Sequence, residues 1–330
     1  MKKDKRIKGI VIGVLVVCGI CFTHEAVVTT MERNLYSNGS AEHATTDQDY
    51  IVKEELYDAE DIEVIKTDLG SADLEVTIYE GDKIKVIAYA KDGKHNDLYN
   101  IEVNDNTLNI GKKEQIGFTT WDMQSYAKVE LFIPQSYKEE VYLQTSSGNI
   151  IPRSDMKMEK ITMKTSSGDI ENKYKVAGEK VKIALSSGKG TLQIVEAEEY
   201  KLKSSLGSIE VMELIGEGDI NTASGKINVK VFKGAGKIAT ASGDILIGMQ
   251  KLIDDLKITT TSGTVEISND ANLSAVIDVA SSSGNILIDG KRKEDKALTC
   301  NWGTKEESEI TIKTSSGSVK INNNSTNGGN

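Results

Sequence analysis

The chain has 330 residues, with 40 Lys plus Arg against 50 Asp plus Glu, three Cys, two Pro and 29 Gly, and hydrophobic residues make up 38%. This composition excludes a disulfide scaffold and a disordered chain, and the 5% aromatic content argues against two conventional compact cores. The net charge of −10 disfavours phosphate backbones as ligands, and no basic stretch with interleaved aromatics offsets it, so no nucleic-acid partner is expected.

Residues 1–8 hold Lys2, Lys3, Lys5, Arg6 and Lys8 against Asp4 and read as a cytoplasmic stub. Gly9 to Phe22, GIVIGVLVVCGICF, then runs without a charge. Fourteen residues is short for a span of ~20 and suits a cleaved secretory leader. Yet the small residues three apart that processing needs are missing after the run, and Val17 and Ile20 precede Cys18 and Cys21 where a lipid-modified cysteine wants a small neighbour. The helix can extend through Ala26, Val27 and Val28 with charged side chains at either interface. The expectation is therefore an uncleaved transmembrane anchor over residues 9–31, with the N-terminus cytoplasmic and the body extracytoplasmic; a cleaved leader is the alternative. Cys18 and Cys21 have redox spacing but lie in this lipid-buried run, where they read as small apolar residues. Only Cys300 lies in the body.

Residues 32–49, rich in Asn, Ser, Thr and Asp, read as a flexible stalk. Residues 50–140 read as an irregular β cap, with strands around Ile62, Leu74, Ile84, Leu108 and Val129 and a displaced corner at Gly70. Eight of the eleven tyrosines lie between Tyr50 and Tyr142, together with Trp121. Either these rings pack inside the cap, the preferred reading, or they form a binding region.

Residues 141–322 repeat. Corner glycines fall at Gly148, Gly168, Gly188, Gly207, Gly225, Gly243, Gly263, Gly284 and Gly317. Five positions earlier stands an aliphatic column that includes Leu143, Ile183 and Ile258; two positions later stands another that includes Ile150, Ile227 and Ile245, broken only by Gly190, where a local bulge is expected. Apolar residues at alternate positions around a glycine describe strand, turn, strand. One copy of 18–21 residues gains ~1.5–3 kcal/mol from each buried aliphatic, against a backbone ordering cost of ~1–2 kcal/mol per residue. Copies must stack. The fold class expected is all-β: a β-solenoid, parallel β-helix-like, of 18–21-residue rungs, with an irregular β N-terminal cap and one transmembrane helix ahead of it. The corner glycines are expected at positive φ, the Thr residues before them to bond neighbouring backbone, residues 289–308 to form a solvated loop, and residues 323–330 to be a disordered tail.

No catalytic, cofactor-binding or metal site emerges. The position after the corner runs Asn149, Asp169, Lys189, Ser208, Lys226, Asp244, which excludes a regular calcium ladder. His24, His43 and His95 are scattered, and Gly234-Ala-Gly236-Lys-Ile-Ala239 meets a dinucleotide fingerprint only on paper, inside a β repeat. A glycan-processing β-helix enzyme needs carboxylates in an aromatic groove, and residues 143–322 offer only Tyr174, Tyr200, Phe232 and Trp302.

YAKVELFIPQSYKEEVYLQTSSGNI, leading into ITMKTSSGDIE and IATASGDILI, resembles the bacterial β-strand-repeat putative-adhesin family, a domain of unknown function, over residues 50–322. Ile133-Pro134 before the first Ser-Gly rung is the most specific feature, and the basic stub with one apolar segment resembles the LiaG-like members, which accompany cell-envelope stress systems. The resemblance implies a non-enzymatic binding module at the cell membrane, facing an envelope protein or wall polymer, and carries over no site residues. The alternative is a structural solenoid that assembles end to end through open strands.

Overall fold

The computed structural model describes residues 50–91, 98–113, 126–269, 273–303 and 308–324. The stub, anchor and stalk, most of the polar tail, Trp121 and His95 lie outside them. Among the described residues no helix is long and apolar enough to cross a membrane; one 3-10 turn, Ala59–Asp61, is the only helical element there.

The N-terminal part supplies β1 (Tyr50–Asp58), β2 (Val64–Asp68), β3 (Asp73–Tyr79), β4 (Lys83–Ala90), β5 (Tyr99–Asn104), β6 (Thr107–Lys112), β7 (Tyr126–Pro134) and β8 (Glu140–Gln144). The repeats follow as β9 (Ile150–Pro152), β10 (Met156–Lys157), β11 (Lys160–Thr165), β12 (Ile170–Leu185), β13 (Gly190–Ser204), β14 (Ile209–Thr222), β15 (Ile227–Thr240) and β16 (Ile245–Thr260). The chain closes with β17 (Val265–Asn269), β18 (Ala275–Ser281), β19 (Ile286–Ile288), β20 (Lys291–Lys293), β21 (Ala297–Trp302), β22 (Glu309–Thr314) and β23 (Val319–Asn323).

Each rung places one strand before its corner in a first sheet and one strand after it in a second. The long strands β12 to β16 belong to both, bending midway, and pair in parallel with one another over nearly their whole length. Period-2 alternation then fixes what is inside. The column containing Leu143, Ile183 and Ile258 and the column containing Ile150, Ile227 and Ile245 are 0–3% exposed and meet in one continuous core. The stack also reaches back into the N-terminal part. β2, Gly70 and β3 form a rung whose strands pair in parallel with β8 and β9, so Ala72 stands under Gly148 and Gly70 under Ser146.

The corner glycines are needed for a different reason from positive φ, which none of them adopts. A Cβ on Gly168 would overlap the Gly148 carbonyl oxygen, one on Gly225 that of Gly207, and so on up the stack. Backbone rests on backbone there, and only hydrogen fits. Positive φ occurs instead at the second bend, at Gly216 (124°) and Gly236 (117°), and at Gly70 (65°), the displaced corner of the first rung and the one corner that meets the expectation. Replacing Gly225 with Ala is expected to cost at least about 2 kcal/mol. Gly290→Ala, where φ is 75° but no atom lies within 4 Å, is expected to cost about 1 kcal/mol. Urea midpoints of the two variants check the order.

The hydroxyl column bonds neighbouring backbone at Thr145, Thr165, Thr222, Thr240 and Thr314, whereas the buried hydroxyls of Ser204 and Thr260 have no partner among the described residues. Thr165 Oγ1 accepts from the Gly168 amide at 3.1 Å and donates to the Gly148 carbonyl at 3.2 Å, tying one corner to the next. At Gly190 there is no bulge: Ile170, Gly190 and Ile209 stay in register, and the irregularity falls further along, between Asn172 and Lys175. Leu185 takes the place of the column's Thr and reaches within 3.2 Å of where a Cβ on Gly190 would stand, filling the missing side chain's space.

The copies do not stack in chain order at the C-terminal end. β22 lies between β16 and β18, and β23 between β17 and β19, so the Gly317 rung is inserted beneath the Gly284 rung. Residues 289–308, expected as a loop, instead supply β20 and β21, which pair antiparallel with β19 and β18 and close that end. At the other end β4 and β1 close the second sheet and β5 the first, again antiparallel. The edges are blunted: β20 is Lys-Arg-Lys, fully exposed, and β1 carries a bulge at Val52 beside Lys53, Glu54 and Glu55.

Candidate functional site

Carboxylates that could have formed a metal ladder bond the backbone instead. The Asn149 amide donates to Asp73 Oδ1 at 2.7 Å, that of Lys189 to Asp169 at 2.7 Å, and that of Thr264 to Asp244 at 2.8 Å. Each stitches one rung to the next. Among the described residues no group of three His, Cys, Asp or Glu could hold a metal ion. Gly234 to Ala239 lies within β15 with no helix after it, and a Cβ on Gly236 would overlap the Gly218 carbonyl, so its glycines serve the bend. A shallow groove of about 640 Å³ runs along the same bend in the first rungs, floored by Met158 and Ala197 and rimmed by Glu139, Glu159 and Glu198.

The tyrosine-rich part divides by strand parity. Tyr99 and Tyr137 are buried, and Tyr137 donates to the Glu140 carbonyl at 2.9 Å. Tyr57 sits half-buried opposite Ile84 on the core side, its hydroxyl donating to Glu55. Burial pushes the Tyr57 and Tyr137 hydroxyls well above the usual phenol range. In β3, β4 and β7 the residues alternate with buried Val76, Val86 and Leu131, which leaves Tyr79, Tyr89 and Phe132 on the outer face. Tyr79 meets Phe132 edge to face at 6.1 Å, Lys85 Nζ lies 5.9 Å from the Phe132 centroid, and Lys128 Nζ lies 4.7 Å from that of Tyr89. Tyr89 donates to Glu130 at 2.9 Å; burial, then this carboxylate, pushes its hydroxyl up to about 12. Arg153 grips Glu75 with two bonds of 3.1 and 2.9 Å, holding that carboxyl below its usual range. Beside these rings β1 exposes Ile51 and Leu56, each 58% accessible, opposite Tyr89 and Lys85. The result is a rigid amphipathic face with apolar and aromatic groups among fixed charges.

The outer face of the first sheet is different, and the sequence reading missed it. Six residues before the corner, parallel register aligns Lys66, Lys182, Lys201, Lys237 and Lys257; four residues before it, Lys164, Lys203 and Lys313. These two columns alternate with the buried one and therefore point outward. None of these lysine side chains has an ion pair or hydrogen bond among the described residues. Some lysines elsewhere are paired, as in Lys128–Glu130 (2.6 Å), Lys189–Glu210 (2.9 Å) and Lys233–Glu213 (2.6 Å), and on this same face Glu140, Glu199, Glu217, Asp255 and Glu309 stand in the next column along the strands. Reading the −6 and −4 columns alongside the −5 column would have found the face.

Fold and surfaces together define a β-repeat protein that presents charged and aromatic groups on the outer faces of its sheets. The chain belongs to the Toastrack DUF4097 family, whose model matches residues 62–322. Among solved structures it is similar to a "putative lipid binding protein" from Parabacteroides distasonis, at 20% identity and a TM-score of 0.50, covering 82% of this chain and 96% of that one. A "putative adhesin" from the same organism matches at 14% identity and a TM-score of 0.49, with the same coverage of 82% and 96%. A "putative adhesin" from Bacteroides fragilis matches at 13% and 0.38, again covering 82% and 96%. At 20% identity the first of these matches speaks for the fold alone. No curated protein matches the chain.

Proposed function

We propose that the protein is a non-enzymatic binding module of the bacterial cell envelope, held by an N-terminal membrane anchor with its body outside the cytoplasm. The observation that carries this reading is the outer face of the N-terminal strands, where exposed Ile51 and Leu56 stand beside Tyr89 and Phe132 on a braced sheet. Aromatic and apolar anchors within a charged surround are what a protein interface uses. The adhesin-like role and the link to envelope stress that the sequence resemblance implies agree with such a reading. The basic stub and apolar run supply the anchor.

Photo-crosslinking in intact cells tests the face. A probe at Leu56 or Phe132 is expected to capture an envelope component, and one at the exposed rung position Lys230 is not; capture from Lys230 alone would overturn the reading. Deleting residues 1–31 is expected to leave the body in the soluble cytoplasmic fraction. The competing reading, end-to-end assembly, meets the blunted edges β1 and β20. Sedimentation at micromolar concentration is expected to show no filaments.

A further inference from the structure

The antiparallel closure leaves one strand edge without a guard. β21 pairs with β18 alone, and its other edge meets no strand among the described residues. The other closing strands carry devices against stray pairing: β20 is Lys-Arg-Lys, β1 is bulged beside Lys53, Glu54 and Glu55, and β5 carries Glu102. β21, Ala297–Trp302, has no charge, no proline and an unbroken register with β18. The Ser281 amide donates to the Lys296 carbonyl at 2.8 Å, which fixes the phase of the ladder. Leu298, Cys300 and Trp302 therefore turn their backbone groups to β18, and Ala297, Thr299 and Asn301 turn theirs to the open side. On the core side of β21 Trp302 is buried, whereas Leu298 and Cys300, last of their column among the described residues, are only partly covered.

We infer that β21 is a strand-addition site for an extended segment of another protein, uncharged and with apolar side chains at alternate positions. The amides and carbonyls of Ala297, Thr299 and Asn301 supply the pairing, and the alternate apolar side chains continue the core over Leu298 and Cys300. Six residues of edge, about 20 Å, match one peptide strand. A second copy of the chain does not fit. A two-fold contact through β21 would set the Lys291, Arg292 and Lys293 of both copies at one junction, and a six-residue edge falls far short of the ~800 Å² per partner that a stable interface buries. The site goes beyond the envelope-binding face at Ile51 and Leu56 and lies at the other end of the stack.

The test uses the full chain in detergent, a capped octapeptide of alternating Thr and Val as the probe, and the alkylation rate of Cys300, read by peptide mapping, as the signal. At about 1 mM the peptide is expected to slow alkylation about 5-fold. The same peptide N-methylated at alternate residues cannot complete the ladder and is expected to give no slowing. Thr299→Pro removes an amide from the open side and leaves the β18 side intact, while A297K/N301K sets charge along the edge. Both variants are expected to abolish the slowing with Trp302 emission as in the native chain; should Thr299→Pro shift that emission, A297K/N301K decides. Slowing that survives A297K/N301K, equal slowing by the N-methylated peptide, none with the native chain, or a concentration-dependent dimer linked through Cys300 would each overturn the inference. Capture from Leu56 is independent of all these outcomes, so the envelope-binding reading stands or falls separately.

Discussion

A chain ending at Ser308 is expected to lose about 5 kcal/mol or more of stability, far beyond what removing a terminal rung would cost. β22 and β23 bury Ile310, Ile312, Val319 and Ile321 completely. At ~1.5–3 kcal/mol each, these side chains alone match much of the 5–15 kcal/mol that stabilises an ordinary domain. A rung at an end has one neighbour, but this rung has two. Its loss exposes the edge of β16 and β17 and also the edge of β18 and β19, which then has nothing to stack on. Residues 275–303 should therefore detach together, and Trp302, 3% exposed in β21, reports the event. Its emission should shift to the red and the 275–303 segment become sensitive to protease in the truncated chain. An unchanged urea midpoint with Trp302 still buried would refute the inserted order.

The rung itself is legible in the sequence because every copy places the same column in the same environment: Ile183, Ile220 and Ile258 meet equivalent neighbours, so periodicity alone finds them. What periodicity cannot express is which copy sits on which. Val319 and Ile321 fit above Ile267 or above Ile288 equally well, and the order is decided by the antiparallel closure through β20 and β21, a non-local pairing. The corner glycines were found by their spacing but not their cause, since overlap with the carbonyl below exists only once a second rung is in place. The two surfaces follow simple parity. Tyr79 alternates with Val76 and Ile78 and must face outward; Lys201 alternates with Tyr200 and Leu202 and must do the same. The overall acidity of the chain hid the lysine columns, because a formal net charge carries no information about which face holds it.

Replacing Ile227 with Asp is expected to remove about 4 kcal/mol or more. Ile227 is 0% exposed and lies in register between Ile209 and Ile245, both buried, so the new carboxylate would stand in an aliphatic column with no cation or amide beside it. Such a group either stays charged and unpaired or takes up a proton, and both cost several kcal/mol. The neighbouring position separates burial from mere charge change. Lys226→Asp alters the charge by two units on an exposed side chain and should cost no more than about 0.5 kcal/mol. Asp244, one rung on, is exposed yet accepts the Thr264 amide at 2.8 Å, so Asp244→Ala should cost about 1 kcal/mol, the worth of one rung-to-rung hydrogen bond. Denaturant midpoints of the three variants thus rank burial first, the side-chain stitch second and surface charge last. If Ile227→Asp melted with Lys226→Asp, the aliphatic column could not be the interior of the stack, and the outward assignment of the lysine columns beside it would fall with it.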